Sequence, residues 1–165
     1  MGTSTDTAEF AVDCIATWCQ AEGKTHYLQA PVILILCDGG GSNGYRTCLW
    51  KRQLQWEIAD KLGLTVMVCH YPTGASKWNP IERRMFSLIS NNWAGQPLIN
   101  YETVINFIQT TRSKTGFTAR AELVEKTYQI GIKVSDVEMK ALNLVRHPLC
   151  PQWNYTIIPR TFDRC

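Results

Sequence analysis

The chain is short of the patterns that would place it quickly. Its seven cysteines are odd in number and include no Cys-x-x-Cys pair, which argues against a disulfide framework and against a zinc site. Several lie inside apolar runs, Cys37 and Cys69 among them, and read as small buried hydrophobes in a reducing compartment. No apolar run approaches the roughly 18 residues of a membrane span. The opening Met1-Gly-Thr-Ser-Thr-Asp6 has neither the basic nor the apolar region of a secretory signal, so a cytoplasmic chain with no membrane partner is expected. There is no internal repeat, low-complexity tract or long linker. Charge of one sign is also scarce: a formal net charge of +3 does not by itself announce a nucleic-acid partner.

What is present is a chain of 165 residues, 45% of them apolar, enough for one compact domain with a sizeable core. The modest positive charge is unevenly spread. Between Arg46 and Arg84, the cations Arg46, Lys51, Arg52, Lys61, Lys77, Arg83 and Arg84 face only the acids Glu57, Asp60 and Glu82.

Apolar periodicity organises the rest. Asp6-Thr-Ala-Glu9 has the form of a capping box with Asp6 at the N-cap, and Ala11, Cys14, Ile15 and Trp18 recur at helical spacing, predicting a helix over about 8–22 that stops near Gly23. Val32 to Cys37 is continuously apolar, the pattern of a strand covered on both faces in a parallel sheet. Leu49, Trp50, Leu54, Ile58 and Leu62 predict a helix within 45–62 stopped by Gly63, and Leu64 to Cys69 a second buried strand. Strand, helix, strand is a βαβ unit, whose parallel strands put Asp38 and His70 on one rim of the sheet. Asn79-Pro80 then opens a helix with Ile81, Met85, Leu88 and Ile89 as its core stripe and Glu82 in its first turn, expected near the same rim. Asn100 caps a further helix with Val104, Ile105 and Ile108 inward. Ser135-Asp-Val-Glu138 is a capping box opening a helix to about Leu144, and Trp153 to Ile158 alternates as a short strand. The expected organisation is one domain: a core over 1–117 and a less regular extension, 118–165, packed on it.

The segment Asp38-Gly-Gly-Gly-Ser-Asn-Gly44 is the most informative. Read literally, Gly39 to Gly44 fits the G-x-G-x-x-G of a dinucleotide cradle. Against that, the next strand ends in Cys69-His70 rather than an acid for the ribose, and Asp38 would repel the phosphates that the loop amides attract. A carboxylate at the end of a buried strand, in a crevice with a second one, suits Mg²⁺, which takes oxygen ligands and keeps several waters. Simpler roles stand beside these. Asp-Gly is a common turn dipeptide, and Glu82, three residues after Asn79, is placed to act as no more than the acid of a capping arrangement. His70 would ordinarily be a hydrogen-bonded residue at a strand end, Lys77, Arg83 and Arg84 a solvated face, and Trp50, Trp56, Trp78 and Trp93 core or helix-packing residues.

The run Asp38-Gly-Gly-Gly-Ser-Asn-Gly44, then Leu49-Trp50-Lys51, Leu54-Gln55, His70-Tyr-Pro and Ser76-Lys-Trp-Asn-Pro-Ile-Glu82 resembles the Rhodopirellula-type (ISAzo-thirteen-like) family of bacterial insertion-sequence transposases. Asn92-Trp93, Gly131-Ile-Lys-Val-Ser-Asp136 and Trp153-Asn-Tyr-Thr156 extend the resemblance over nearly the whole chain, and Asn-Pro-Ile-Glu is similar to a segment of mariner-like transposases. The resemblance implies an α/β, ribonuclease-H-like catalytic fold in which three acids of a DDE triad bind two Mg²⁺ or Mn²⁺ ions. Asp38 matches the second acid and Glu82 the third. It also implies DNA as partner, with Asn43, His70, Lys77, Arg83 and Arg84 as candidate contacts, and a nucleoid-associated location. The family's first acid lies on an opening strand upstream of the helix that begins here near Asp6. The expectation is therefore a C-terminal portion lacking the leading strands, with little activity alone unless the remainder or another transposase subunit completes it. Two alternatives stay open: a non-catalytic remnant that binds DNA or full-length subunits, and a dinucleotide-binding domain using the Gly39–Gly44 loop.

Overall fold

The computed structural model describes residues 1–72, 74–75 and 78–161. The chain divides into two compact units: Thr5–Thr73 with Tyr128–Cys165, and Met1–Ser4 with Gly74–Thr127. The first holds the sheet and the second is helical.

In the sheet unit, α1 spans Ala8–Trp18 and runs on through a π-helical turn, Cys19–Gly23, and a short α2, Lys24–His26. Its cap is Thr7, whose side chain accepts from the Phe10 amide, rather than Asp6. Asp6 instead accepts a hydrogen bond from Ser42 Oγ at 3.1 Å. Strand β1, Val32–Asp38, pairs in parallel with β2, Thr65–Tyr71, in the register Ile33↔Val66 to Asp38↔Tyr71. Between them lie α3, Cys48–Gln53, and a π-helical stretch, Leu54–Asp60. The single α-helix expected over 45–62 thus widens halfway. Hydrogen bonding of the i→i+5 type brings residues four and five apart onto one face, and Trp50, Leu54, Gln55, Ile58 and Ala59 are all fully buried. Gly63 takes the left-handed backbone that ends the helix, φ 70°.

The extension supplies two strands, β3 (Leu144–Arg146) and β4 (Asn154–Ile157), so the sheet is four-stranded in the order β1-β2-β4-β3, with β4 antiparallel to both neighbours. β3 occupies the end of what the sequence predicts as a helix to Leu144. The helix there, α4, covers only Asp136–Lys140, with the predicted Ser135–Glu138 capping box intact. One face of the sheet, with Cys37, Val66, Val68, Tyr155 and Ile157, packs on Ala8 and Val12 of α1 and on Trp50, Leu54 and Ile58. The other face is different. Val32, Leu34 and Leu36 alternate outward from β1, and Leu34 is 55% exposed. The expectation of a strand covered on both faces therefore fails for β1, which is a sheet edge with one apolar face open.

In the helical unit, α5, Pro80–Asn92, is capped by Asn79, and α6, Tyr101–Thr110, by Asn100, whose side chain accepts from the Thr103 amide. Asn92 Nδ2 at the end of α5 donates to the Phe107 carbonyl in α6 at 2.7 Å. Gly2 bridges Val124 in parallel. Of the expected core stripe of α5, Ile89 is buried and Met85 and Leu88 are half-buried, whereas Ile81 is 74% exposed. Trp78, expected to pack, is 65% exposed.

Candidate functional site

Asp38 is the last residue of β1, at the carboxyl end of the parallel pair. Alternation along the strand turns its neighbour Cys37 into the core and Asp38 to the open side, where it is exposed. Its carboxylate receives no hydrogen bond and no cation from any described residue. Burial, with Asp38 and Cys69 alongside, pushes the Cys37 thiol up to about 12, so this cysteine sits in the core as a protonated, hydrophobic side chain. The cysteines at 14, 19, 37, 48, 69 and 150 are all free, but Cys48 lies on the surface rather than in the core.

The loop after Asp38 folds back on itself. Gly41 has φ 76°, and Gly44 is buried so tightly that a Cβ there would meet Gly39 O at 3.1 Å and Gly40 C at 3.1 Å. These glycines are demanded by backbone crowding. The Gly44 amide donates to Gly41 O at 3.2 Å and the Thr47 amide to Gly44 O at 3.0 Å, delivering the chain to α3.

His70, on β2 opposite Cys37, is 6% exposed. Its Nδ1 lies 2.8 Å from Trp153 O and its Nε2 3.0 Å from Asn43 O. The rings of Tyr45 and Tyr155 stand at 6.2 and 5.9 Å, and Tyr45 meets Trp153 edge-on at 6.1 Å. The structure thus joins two residues that the sequence marks as candidate DNA contacts, His70 and Asn43, to each other. With both ring nitrogens taken, His70 offers neither to a phosphate.

Glu82 sits in the first turn of α5. Its amide donates to Asn79 Oδ1 at 3.4 Å and its Oε2 accepts from Asn79 Nδ2 at 3.2 Å, while no described residue engages Oε1. The capping role read from the sequence is therefore real, and one oxygen is left over. Arg83 and Arg84 are exposed on the same helix. Lys77 lies outside the described residues. Asp38, Asn43 and His70 belong to the sheet unit, and Glu82, Arg83 and Arg84 to the helical unit.

Two residues in the basic segment are structural. Arg52 is buried, donates to Glu138 at 2.9 Å and stacks 4.6 Å from the Trp56 ring centre, and Lys51 is buried with its Nζ on Tyr45 O. Burial lowers the pKa of Lys51. Sequence reasoning missed both this internal use of cations and the link from Trp153 to the loop. The former was legible only in their placement seven and six residues before the π-helical Ile58, beside Trp50.

As to a divalent ion, the donors fit by chemistry: Asp38 and Glu82 each offer carboxylate oxygen with spare lone pairs, which suits Mg²⁺ or Mn²⁺ better than a soft metal. Among the described residues no three His, Cys, Asp or Glu side chains gather into a ready cluster, so any such ion needs ligands beyond a single local group.

Comparison with protein families settles the class: this is a transposase domain of mixed α/β architecture, for which DNA is the implied partner. More narrowly, the chain belongs to the Rhodopirellula transposase DDE domain family, which matches it over residues 1–159. No curated protein and no solved structure matches it. Among the described residues no helix is long and apolar enough to cross a membrane.

Proposed function

We propose that Asp38 and Glu82 are the second and third acids of a DDE triad in a ribonuclease-H-like catalytic domain that cleaves DNA and transfers its strands. The observation that carries this reading is an acid with no partner among the described residues at the carboxyl end of a parallel strand, in a chain whose family is defined by such acids. Asp38 and Glu82 would hold the divalent ions. When bound, such ions supply activation of an attacking hydroxyl and stabilisation of the leaving oxygen in phosphodiester chemistry.

The chain's own residues divide the remaining work. The glycines of the 39–44 loop carry no side chain beyond Ser42 and Asn43, so a DNA backbone can approach Asp38 closely, with Asn43 as a polar contact. Arg83, Arg84 and Lys77 contact phosphates, an interaction that weakens as salt rises. Asn79 holds Glu82 in place through the two hydrogen bonds between them. From Tyr128 onward the extension completes the sheet unit, since β3 and β4 extend its sheet. No observation favours the remnant or the dinucleotide reading.

The test is Mn²⁺ binding followed by electron paramagnetic resonance on the 165-residue chain, with strand-transfer assays beside it. Binding should be measurable and should fall about tenfold or more in Asp38→Asn and in Glu82→Gln, and any Mn²⁺-dependent strand transfer should be lost in the same variants. Unchanged Mn²⁺ affinity in both variants would remove the two acids from the metal site.

A further inference from the structure

His70 faces two acceptors and no donor. Trp153 O and Asn43 O are main-chain carbonyls, which only accept hydrogen bonds, and they lie 2.8 Å and 3.0 Å from Nδ1 and Nε2. A neutral imidazole has one N–H and can satisfy one of them, leaving a nitrogen lone pair against a carbonyl lone pair. Only the imidazolium donates to both. The two carbonyls come from segments 83 and 27 positions away in sequence. One is the turn that leads into β4, and the other is the glycine loop.

We propose that His70 is a positioning residue that, as the imidazolium, bolts the 39–44 loop to the turn before β4, and that loss of its proton releases one end of the bolt. The loop begins at Asp38, so the bolt fixes the backbone that follows that acid. Its relevance to catalysis rests on the reading of Asp38 given above, whereas the bolt itself does not.

The ring is enclosed by groups from each element packed against it. On the loop the neighbour is the Tyr45 ring with Arg46 stacked 5.1 Å from it, and on β1 the protonated thiol of Cys37, opposite His70 in the ladder. On β4 it is Tyr155, whose phenol burial raises further from ionisation. Behind Tyr155 stand Lys51 of α3, its Nζ 5.5 Å from that ring, and Arg146 of β3, opposite Tyr155 in register. Asp38 projects to the other side of the sheet. Removal of the imidazolium proton takes the second hydrogen bond with it, because both partners are carbonyls.

The experiment is nuclear magnetic resonance on the full chain labelled with ¹⁵N in histidine and in the backbone. Long-range proton–nitrogen correlations report each ring nitrogen separately. The expected result is that both His70 nitrogens carry protons on the acidic side. One should lose its proton on raising the pH, with amide protection factors at Gly44 and Thr47, corrected for intrinsic exchange, falling together by about tenfold. In His70→Gln, protection at those amides should be low and independent of pH. If this variant does not fold, the wild-type titration decides alone. A His70 nitrogen that stays unprotonated over the whole range of stability, or protection that ignores the titration, overturns the proposal. Because Mn²⁺ affinity is measured apart, failure of Asp38 as a ligand would leave this result unaffected.

Discussion

The two units are held by different forces. In the sheet unit a continuous core joins α1, α3, the π-helical stretch and three strands, with Val12, Trp50, Leu54, Ile58, Val66, Val68, Tyr155 and Ile157 completely withdrawn from solvent. In the helical unit Ile89 is the single buried apolar side chain among the described residues, and order comes from caps and side-chain hydrogen bonds such as Asn92 to Phe107 and Gln109 to Ala121. Burial contributes roughly 25 cal/mol per Å² of apolar surface, while a solvent-exposed hydrogen bond adds about 1 kcal/mol or less. Stability therefore resides in the unit that carries Asp38, and the unit that carries Glu82 is the softer of the two. An acid on a rigid strand and an acid on a weakly held helix would not be equivalent ligands in the proposed site: the second would be set in place by what it binds.

The largest effect should separate the units outright. Trp50→Ala removes the largest fully buried side chain and should cost about 3–5 kcal/mol, lowering the thermal midpoint of the sheet unit. Ile89→Ala should leave that midpoint nearly unchanged and instead increase amide exchange in α5. If Ile89→Ala lowers the main transition as much as Trp50→Ala does, the contrast between the units is wrong.

A polar network inside the sheet unit gives the next effect. Gln55 is fully buried, donates to Asp60 Oδ1 at 2.9 Å and Ile158 O at 3.0 Å, and accepts from the Asn143 amide at 2.8 Å. Truncation to Ala orphans groups in the extension and should cost about 2–4 kcal/mol. Asp60 also accepts from Arg160, at 2.6 Å from Nη2. Burial alone would raise the Asp60 pKa, but the hydrogen bonds from Arg160 and Gln55 outweigh it, and the carboxyl is held below its ordinary range. A carboxyl depressed on folding contributes stability above its unfolded value, near 4, and loses it as pH falls through the folded value. Urea unfolding against pH should show this acid limb in the wild type and a flatter one in Asp60→Asn; identical limbs would dissociate Asp60 from acid stability.

The same contrast explains what could be read from the chain. The βαβ unit, the caps at Asn79, Asn100 and Ser135 and the strand at Trp153–Ile158 all depend on local patterns, and each emerges within a residue or two. The open face of β1 was not legible, because a run such as Val-Ile-Leu-Ile-Leu looks alike whether one face or both are covered. Nor was β3, whose three residues follow a helix too short to show its end. At the candidate site, spacing left Asp38 between turn and ligand and read Glu82 as a cap; the family resemblance marked both as acids of a triad. The part played by His70 was not legible, because its acceptors are main-chain carbonyls, which any residue carries.

The smallest effect on stability is the most informative about Glu82. Asn79 caps α5 by accepting from the Glu82 amide and holds Glu82 Oε2 through its own Nδ2. Asn79→Ala removes both bonds and should cost the helical unit about 1 kcal/mol, with no shift in the main thermal transition. Yet it frees the side chain that the Mn²⁺ reading needs in position. Asn79→Ala should therefore weaken Mn²⁺ binding severalfold, whereas Asn100→Ala, the equivalent cap on α6, should fray its helix to the same degree and leave affinity alone. Equal affinities in the two cap variants would mean that the first turn of α5 does not present Glu82 to an ion, and the softer unit would lose its claim to a ligand.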